Sequence, residues 1–155
     1  MNRQAPNFSL PDQTGTVRTL KDYAGGWLVL YFYPKDDTPG CTKEACNFRD
    51  ARDQLAAIGN AAVVGISKDS VRKHASFIAK HDLNFTLLSD PEAVTIKAYG
   101  AWGQKKFMGR EFEGILRNTY LIDPRGIIVK EYLGVNPSTH ATEILADLLE
   151  LQDNA

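Results

Sequence analysis

The run WLVLYFY, Trp27–Tyr33, is apolar or aromatic at every position, with no alternation. Successive side chains of a strand point to opposite faces, so a strand made from this run is apolar on both. Such a strand belongs at the centre of a parallel or mixed sheet covered on each side. Ala62–Ser67 reads as a second buried strand, and the stretches between and after the two carry helical spacing.

The remaining elements follow from local signals. Phe8 and Leu10, the turn PDQTGT with Gly15, and VRTL predict a short N-terminal hairpin. A helix is expected from Pro39 to Ile58, stopped by Gly59-Asn60. Val71, Ala75 and Ile78 mark another, capped by Asp69 or Ser70. FTLLSD reads as a short strand, and PEAVTIKAYG as a short helix with Pro91 at its first position. Residues 101–114, with a Lys-Lys pair and three glycines, read as a long loop. In it, Trp102, Phe107 and Met108 are expected to cover the core rather than edge a site. ILRNTYLID and IIVKEYL are two strands joined by Pro-Arg-Gly. Asn136-Pro137 is expected to open a last helix with Ile144, Leu145, Leu148 and Leu149 on one stripe. This order predicts a thioredoxin-like α/β sandwich, a central mixed sheet flanked by helices with an N-terminal β-hairpin, in one domain over 1–155.

Charge excludes several functions. With 18 Lys and Arg against 19 Asp and Glu, the chain lacks the basic excess of a nucleic-acid or membrane-surface binder. No stretch has the length and apolarity of a signal peptide or membrane span, so a cytoplasmic address is expected. In that compartment two cysteines are more often catalytic, redox-sensing or metal-bound than a structural disulfide.

Both cysteines lie in TPGCTKEAC, residues 38–46. With Thr38 as N-cap and Pro39 at the first helical position, Cys41 falls in the first turn. The amides there have no helical partner and, with the helix dipole, favour an anion placed before them. At about 100° per residue, Cys41 shares the inward stripe of Ala45, Phe48 and Leu55, and Cys46 lies on the polar side with Arg49, Asp50 and Asp53. In an intact helix their Cα atoms are about 8.6 Å apart, whereas a disulfide needs about 4.4–6.8 Å. The spacing thus suits a folded state with separate thiols and a locally unwound state with a bond. Two packing cysteines are the plain alternative. A zinc site lacks ligands, because His74, His81 and His140 are scattered, and no cofactor or metal is expected.

VLYFYPKDDTPGCTKEACNFRD resembles the active-site segment of peroxiredoxins, in particular the bacterioferritin comigratory protein or peroxiredoxin Q group. The family's Pro, Thr and Cys are matched by Pro34, Thr38 and Cys41, and the likeness continues through AYGAWGQKKFMGREFEGILRNTYLID to the C-terminal helix. The resemblance implies a thiol-dependent peroxidase acting on hydrogen peroxide and alkyl hydroperoxides. Cys41 would be the peroxidatic cysteine and Cys46 the resolving one, joined in an intramolecular disulfide that thioredoxin reduces. Arg117 would be the active-site arginine, Thr38 the hydroxyl that orients thiolate and peroxide, and Pro34 the shield against water. A monomer is expected, since an internal resolver needs no second subunit. A thiol–disulfide oxidoreductase and a non-enzymatic redox sensor are the competing readings of the bare cysteine pair.

Magnitudes say where the rate must come from. A free thiol with pKa about 8.5 is about 7% ionised near neutrality, so complete ionisation gains only about 14-fold. Most of the acceleration therefore has to come from groups that align the O–O bond and stabilise charge on the departing oxygen.

Overall fold

The computed structural model describes residues 2–153. In chain order the strands are β1 (Arg3–Gln4), β2 (Ser9–Pro11), β3 (Val17–Thr19), β4 (Leu28–Phe32), β5 (Ala62–Ser67), β6 (Thr86–Ser89), β7 (Trp102–Phe107), β8 (Arg110–Ile115), β9 (Thr119–Ile122) and β10 (Ile127–Tyr132). The helices are α1 (Pro39–Ala57), α2 (Val71–His81), α3 (Val94–Ala98) and α4 (His140–Asp153).

Six strands form one sheet in the order β1-β10-β9-β4-β5-β6. The apolar run became β4, and all five of its residues are buried. Val29 and Tyr31 face one core with Phe48, Leu55, Phe77, Ile144 and Leu148 from the helices. Leu28, Leu30 and Phe32 face the other, with Phe8, Ile96, Tyr99 and Ile128. The ring of Tyr31 lies over Gly65 of β5, where a Cβ would come within 2.8 Å of it. β4 pairs in parallel with β5 and antiparallel with β9, so it is the switch point between the two halves of the sheet. Sites in open α/β sheets form beyond the carboxyl ends of strands at such a point. Here α1 leaves that end of β4, and the antiparallel pair Tyr31–Thr119 brings the chain entering β9 to the same edge.

The N-terminal hairpin forms as β2–β3, with Gly15 at φ 85°. Five expectations need correction. Residues 101–114 are not a loop but the β7–β8 hairpin, turned by Met108 and Gly109 at φ 52° and 79°. A two-residue turn with both residues left-handed matches the twist of the strands it joins. Because this ribbon stands outside the main sheet, no apolar alternation marks it. Trp102 packs against the core as expected and also lies under the ammonium groups of Lys68 and Lys97. Met108 is 87% exposed and covers nothing, and the side chain of Phe107 lies outside the described residues.

Pro91 does not open α3. The buried carboxylate of Asp90 accepts from the amides of Val94 and Ile96, and Ala93 at φ 59° delays the helix to Val94. Likewise α4 begins at His140 rather than at Pro137. Asn136 nucleates a turn whose carbonyls at Pro137 and Ser138 accept from Asn47 Nδ2 of α1 instead of starting a helix. Ile144 and Leu148 are buried on α4 and Leu145 packs against them, but Leu149 is half exposed and lies off the expected stripe. No helix among the described residues is long and apolar enough to cross a membrane.

Candidate active site

Helix α1 is continuous through both cysteines, which are free thiols. Cys41 is 1% exposed within the core cluster of Ala45, Phe48 and Leu55, while Cys46 is half-buried on the other side. Thr38 is the N-cap residue, with φ −91° and ψ 156°. Its hydroxyl does not cap the helix, however. It donates to the carbonyl of Lys35 at 2.9 Å and closes the loop 35–38, so the cap side chain leaves the first-turn amides alone.

Arg117 reaches Cys41 across 76 positions of sequence, with Nη2 donating to Sγ at 3.4 Å. Nη1 of the same guanidinium donates to Glu44 Oε1 at 2.9 Å. Gly40 makes room for this approach, because a Cβ there would lie 3.3 Å from Nη2. Burial opposes the charge on Arg117, but the Cys41 and Glu44 charges outweigh it and raise its pKa. Glu44 responds in the opposite sense. Burial pushes its carboxyl from 4.5 to about 7 against the pull of Arg117, because Glu44 is 1% exposed and Arg117 19%. Oε2 of Glu44 and the Tyr31 hydroxyl are the buried side-chain atoms left without partners among the described residues.

Pro34 and Arg117 line one wall of an open cavity of about 500 Å³, with Leu116, Leu133, Val135 and Lys105 around it. The structure thus sets Cys41 against Arg117, places Pro34 with Arg117 on the cavity lining, and puts Thr38 at the start of the cysteine helix. Cys46 stands apart from them on the far face.

The loop before Thr38 is riveted to α2. Asp36 accepts from the Tyr33 hydroxyl at 2.5 Å and faces His74 Nδ1 at 2.6 Å, and its amide donates to Asp69 at 2.8 Å. His74 Nε2 meets the Leu88 carbonyl at 2.9 Å. Next along, Asp37 sits at φ 60° and is held by Lys80 and His81. Side-chain oxygen and nitrogen atoms of Asp36, Asp69 and His74 lie within 4.8 Å of one another, the spacing of metal ligands, yet they are engaged by the Asp36–His74 pair, the Tyr33 and Ser67 hydroxyls and the backbone.

Sequence reasoning missed Glu44 and this network. Glu44 could have been found, since a carboxylate three residues after Cys41 falls on the same inward face and needs a cation there. Nothing local marks Asp36 or His74 as partners.

A buried thiol at the head of a helix, held against a carboxylate-braced guanidinium on a thioredoxin-like sheet, defines a thiol-dependent peroxidase. Relatedness agrees with the geometry. A family model described as AhpC/TSA family matches residues 1–131, and the chain belongs to that family, within its peroxiredoxin Bcp/Q group. Peroxiredoxin Bcp of Bacillus subtilis is 42% identical over 153 residues, covering 99% of this chain and 97% of that protein. Peroxiredoxin Bcp of Escherichia coli is 44% identical over 146 residues, 94% of this chain and 93% of its own. Among solved structures, the bacterioferritin comigratory protein of Xanthomonas campestris, studied for alkyl peroxide reduction, is 36% identical with a TM-score of 0.87. It covers 94% of this chain and 92% of its own. The enzyme acts on peroxides at the expense of thiol reductants.

Proposed function

We propose that Cys41 is the peroxidatic residue of a single-domain, atypical two-cysteine peroxiredoxin in which Cys46 resolves. The observation that carries this reading is the Arg117 fork, with one nitrogen on Cys41 Sγ and the other on Glu44. The Cys41 thiolate attacks one oxygen of the hydroperoxide; an S–O bond forms as the O–O bond breaks. The second oxygen leaves with its substituent, takes a proton and departs as water or an alcohol, and Cys41 becomes a sulfenic acid. Arg117 and the first-turn amides stabilise charge on both oxygens in the transition state. Thr38 at the helix start orients the peroxide, and Pro34 on the cavity wall limits water.

The thiol of Cys46 then condenses with the sulfenic acid, forming the disulfide and releasing water. Because the thiols ride on different faces of α1, its first turns must unwind first. Thioredoxin, a dithiol protein, returns the pair to thiols. Alkyl hydroperoxides are substrates beside hydrogen peroxide, in line with the Xanthomonas relative. The chain works as a monomer in the cytoplasm, without metal or cofactor.

Steady-state peroxide consumption with a thioredoxin system tests this. Cys41→Ser is expected to abolish turnover. Cys46→Ser should react once with peroxide and then stall. Intact turnover in Cys41→Ser removes the assignment.

A further inference from the structure

The cavity beside Arg117 holds a second cation that the peroxidase step does not use. Lys105 stands on β7 opposite Phe112, two residue pairs from the glycine pair Gly103–Gly114 and on the same face of the ribbon. Its stem lies over Gly114, where a Cβ would meet Lys105 Cδ at 3.2 Å, and Nζ donates to the Ile115 carbonyl at 2.9 Å. That is one of three ammonium donors. Among the described residues no carboxylate pairs with Lys105, and none of the residues lining the cavity is acidic. The hairpin's own acids belong to the opposite face: Glu113 accepts from Trp102, and Glu111 stands opposite Lys106. Arg117, by contrast, is already engaged by Glu44 and Cys41. Leu116, Leu133, Val135 and Pro34 make up the apolar part of the wall, and Asn118 is its one uncharged polar side chain.

We infer that Lys105 is a specificity-determining residue that selects organic hydroperoxides bearing a carboxylate, whose apolar body lies along Leu116, Leu133 and Val135 while the peroxide meets Cys41. Burial, and then the neighbouring Arg117 charge, hold the Lys105 ammonium below its ordinary range, while Cys41 pulls the other way. An incoming carboxylate supplies the anion that this position lacks. The inference rests on the reading of Cys41 as the reacting thiol.

The probe pair is the para-carboxylate of cumene hydroperoxide and its methyl ester, which differ in charge but little in shape. Each variant serves as its own control, since the readout is the ratio of kcat/KM for acid over ester. Wild type is expected to favour the acid by about five-fold at low ionic strength, and less as salt is added. Lys105→Gln should bring the ratio to about one, and Lys105→Arg should keep it above that. A ratio that is the same in wild type and Lys105→Gln, with turnover still dependent on Cys41, overturns the role of Lys105 alone. Turnover of either probe by Cys41→Ser overturns the peroxidatic assignment as well.

Discussion

Replacing Glu44 by Gln removes a buried charge while keeping shape and an acceptor for Arg117. In the native state burial holds the carboxyl at about 7, against 4.5 when exposed. Below 4.5 both native and unfolded states carry the proton, and the charge adds nothing. Between 4.5 and 7 the unfolded chain has released the proton and the native one still binds it, so stability falls as pH rises and levels off above 7. At about 1.4 kcal/mol per pH decade the loss reaches about 3 kcal/mol. Glu44→Gln has no proton to lose and lacks this slope. The expected outcome is a variant about 3 kcal/mol more stable than wild type at pH 8 and within about 0.5 kcal/mol of it near pH 4.5. Urea unfolding of the reduced proteins across that range reads the difference, and other titrating groups cancel between the two chains. Activity should move the other way. A neutral amide braces the guanidinium less firmly than a carboxylate, and the loss of about 1–2 kcal/mol of transition-state stabilisation lowers kcat/KM about ten-fold. Stability curves that run parallel in pH would refute the reasoning, because the burial cost of Glu44 would then be absent.

Arg117→Lys keeps the charge but not the planar fork, so it cannot hold Glu44 and the sulfur together; second-order peroxide kinetics should fall by about 100-fold. Near-wild-type kinetics in that variant would remove Arg117 from the mechanism. Peroxide treatment of the reduced wild type should yield an intramolecular Cys41–Cys46 disulfide by mass spectrometry, with loss of helical circular dichroism from the start of α1. Two free thiols, or only intermolecular dimers, would contradict the unwinding step.

Much of this protein is written in short stretches of its chain. Trp27–Tyr33 dictates a strand buried on both sides, because side-chain alternation leaves it no wet face. Thr38, Pro39 and helical spacing put Cys41 in the first turn facing inward and Cys46 outward, and the burial of Cys41 follows from that period. The meeting of Cys41 with Arg117 could not be derived that way. It depends on β9 pairing antiparallel with β4, a contact between segments far apart in sequence. The same holds for the Asp36–His74 rivet, and for Glu44, whose carboxyl acquires meaning only once Arg117 stands beside it. Residues 101–114 misled because an exposed two-stranded ribbon has no apolar face to signal itself, and its turn rests on backbone angles at Met108 and Gly109. Periodicity and capping are properties of neighbours along the chain and are readable there. Which charges are desolvated, and against what, is a property of neighbours in space, and the tertiary structure alone decides it.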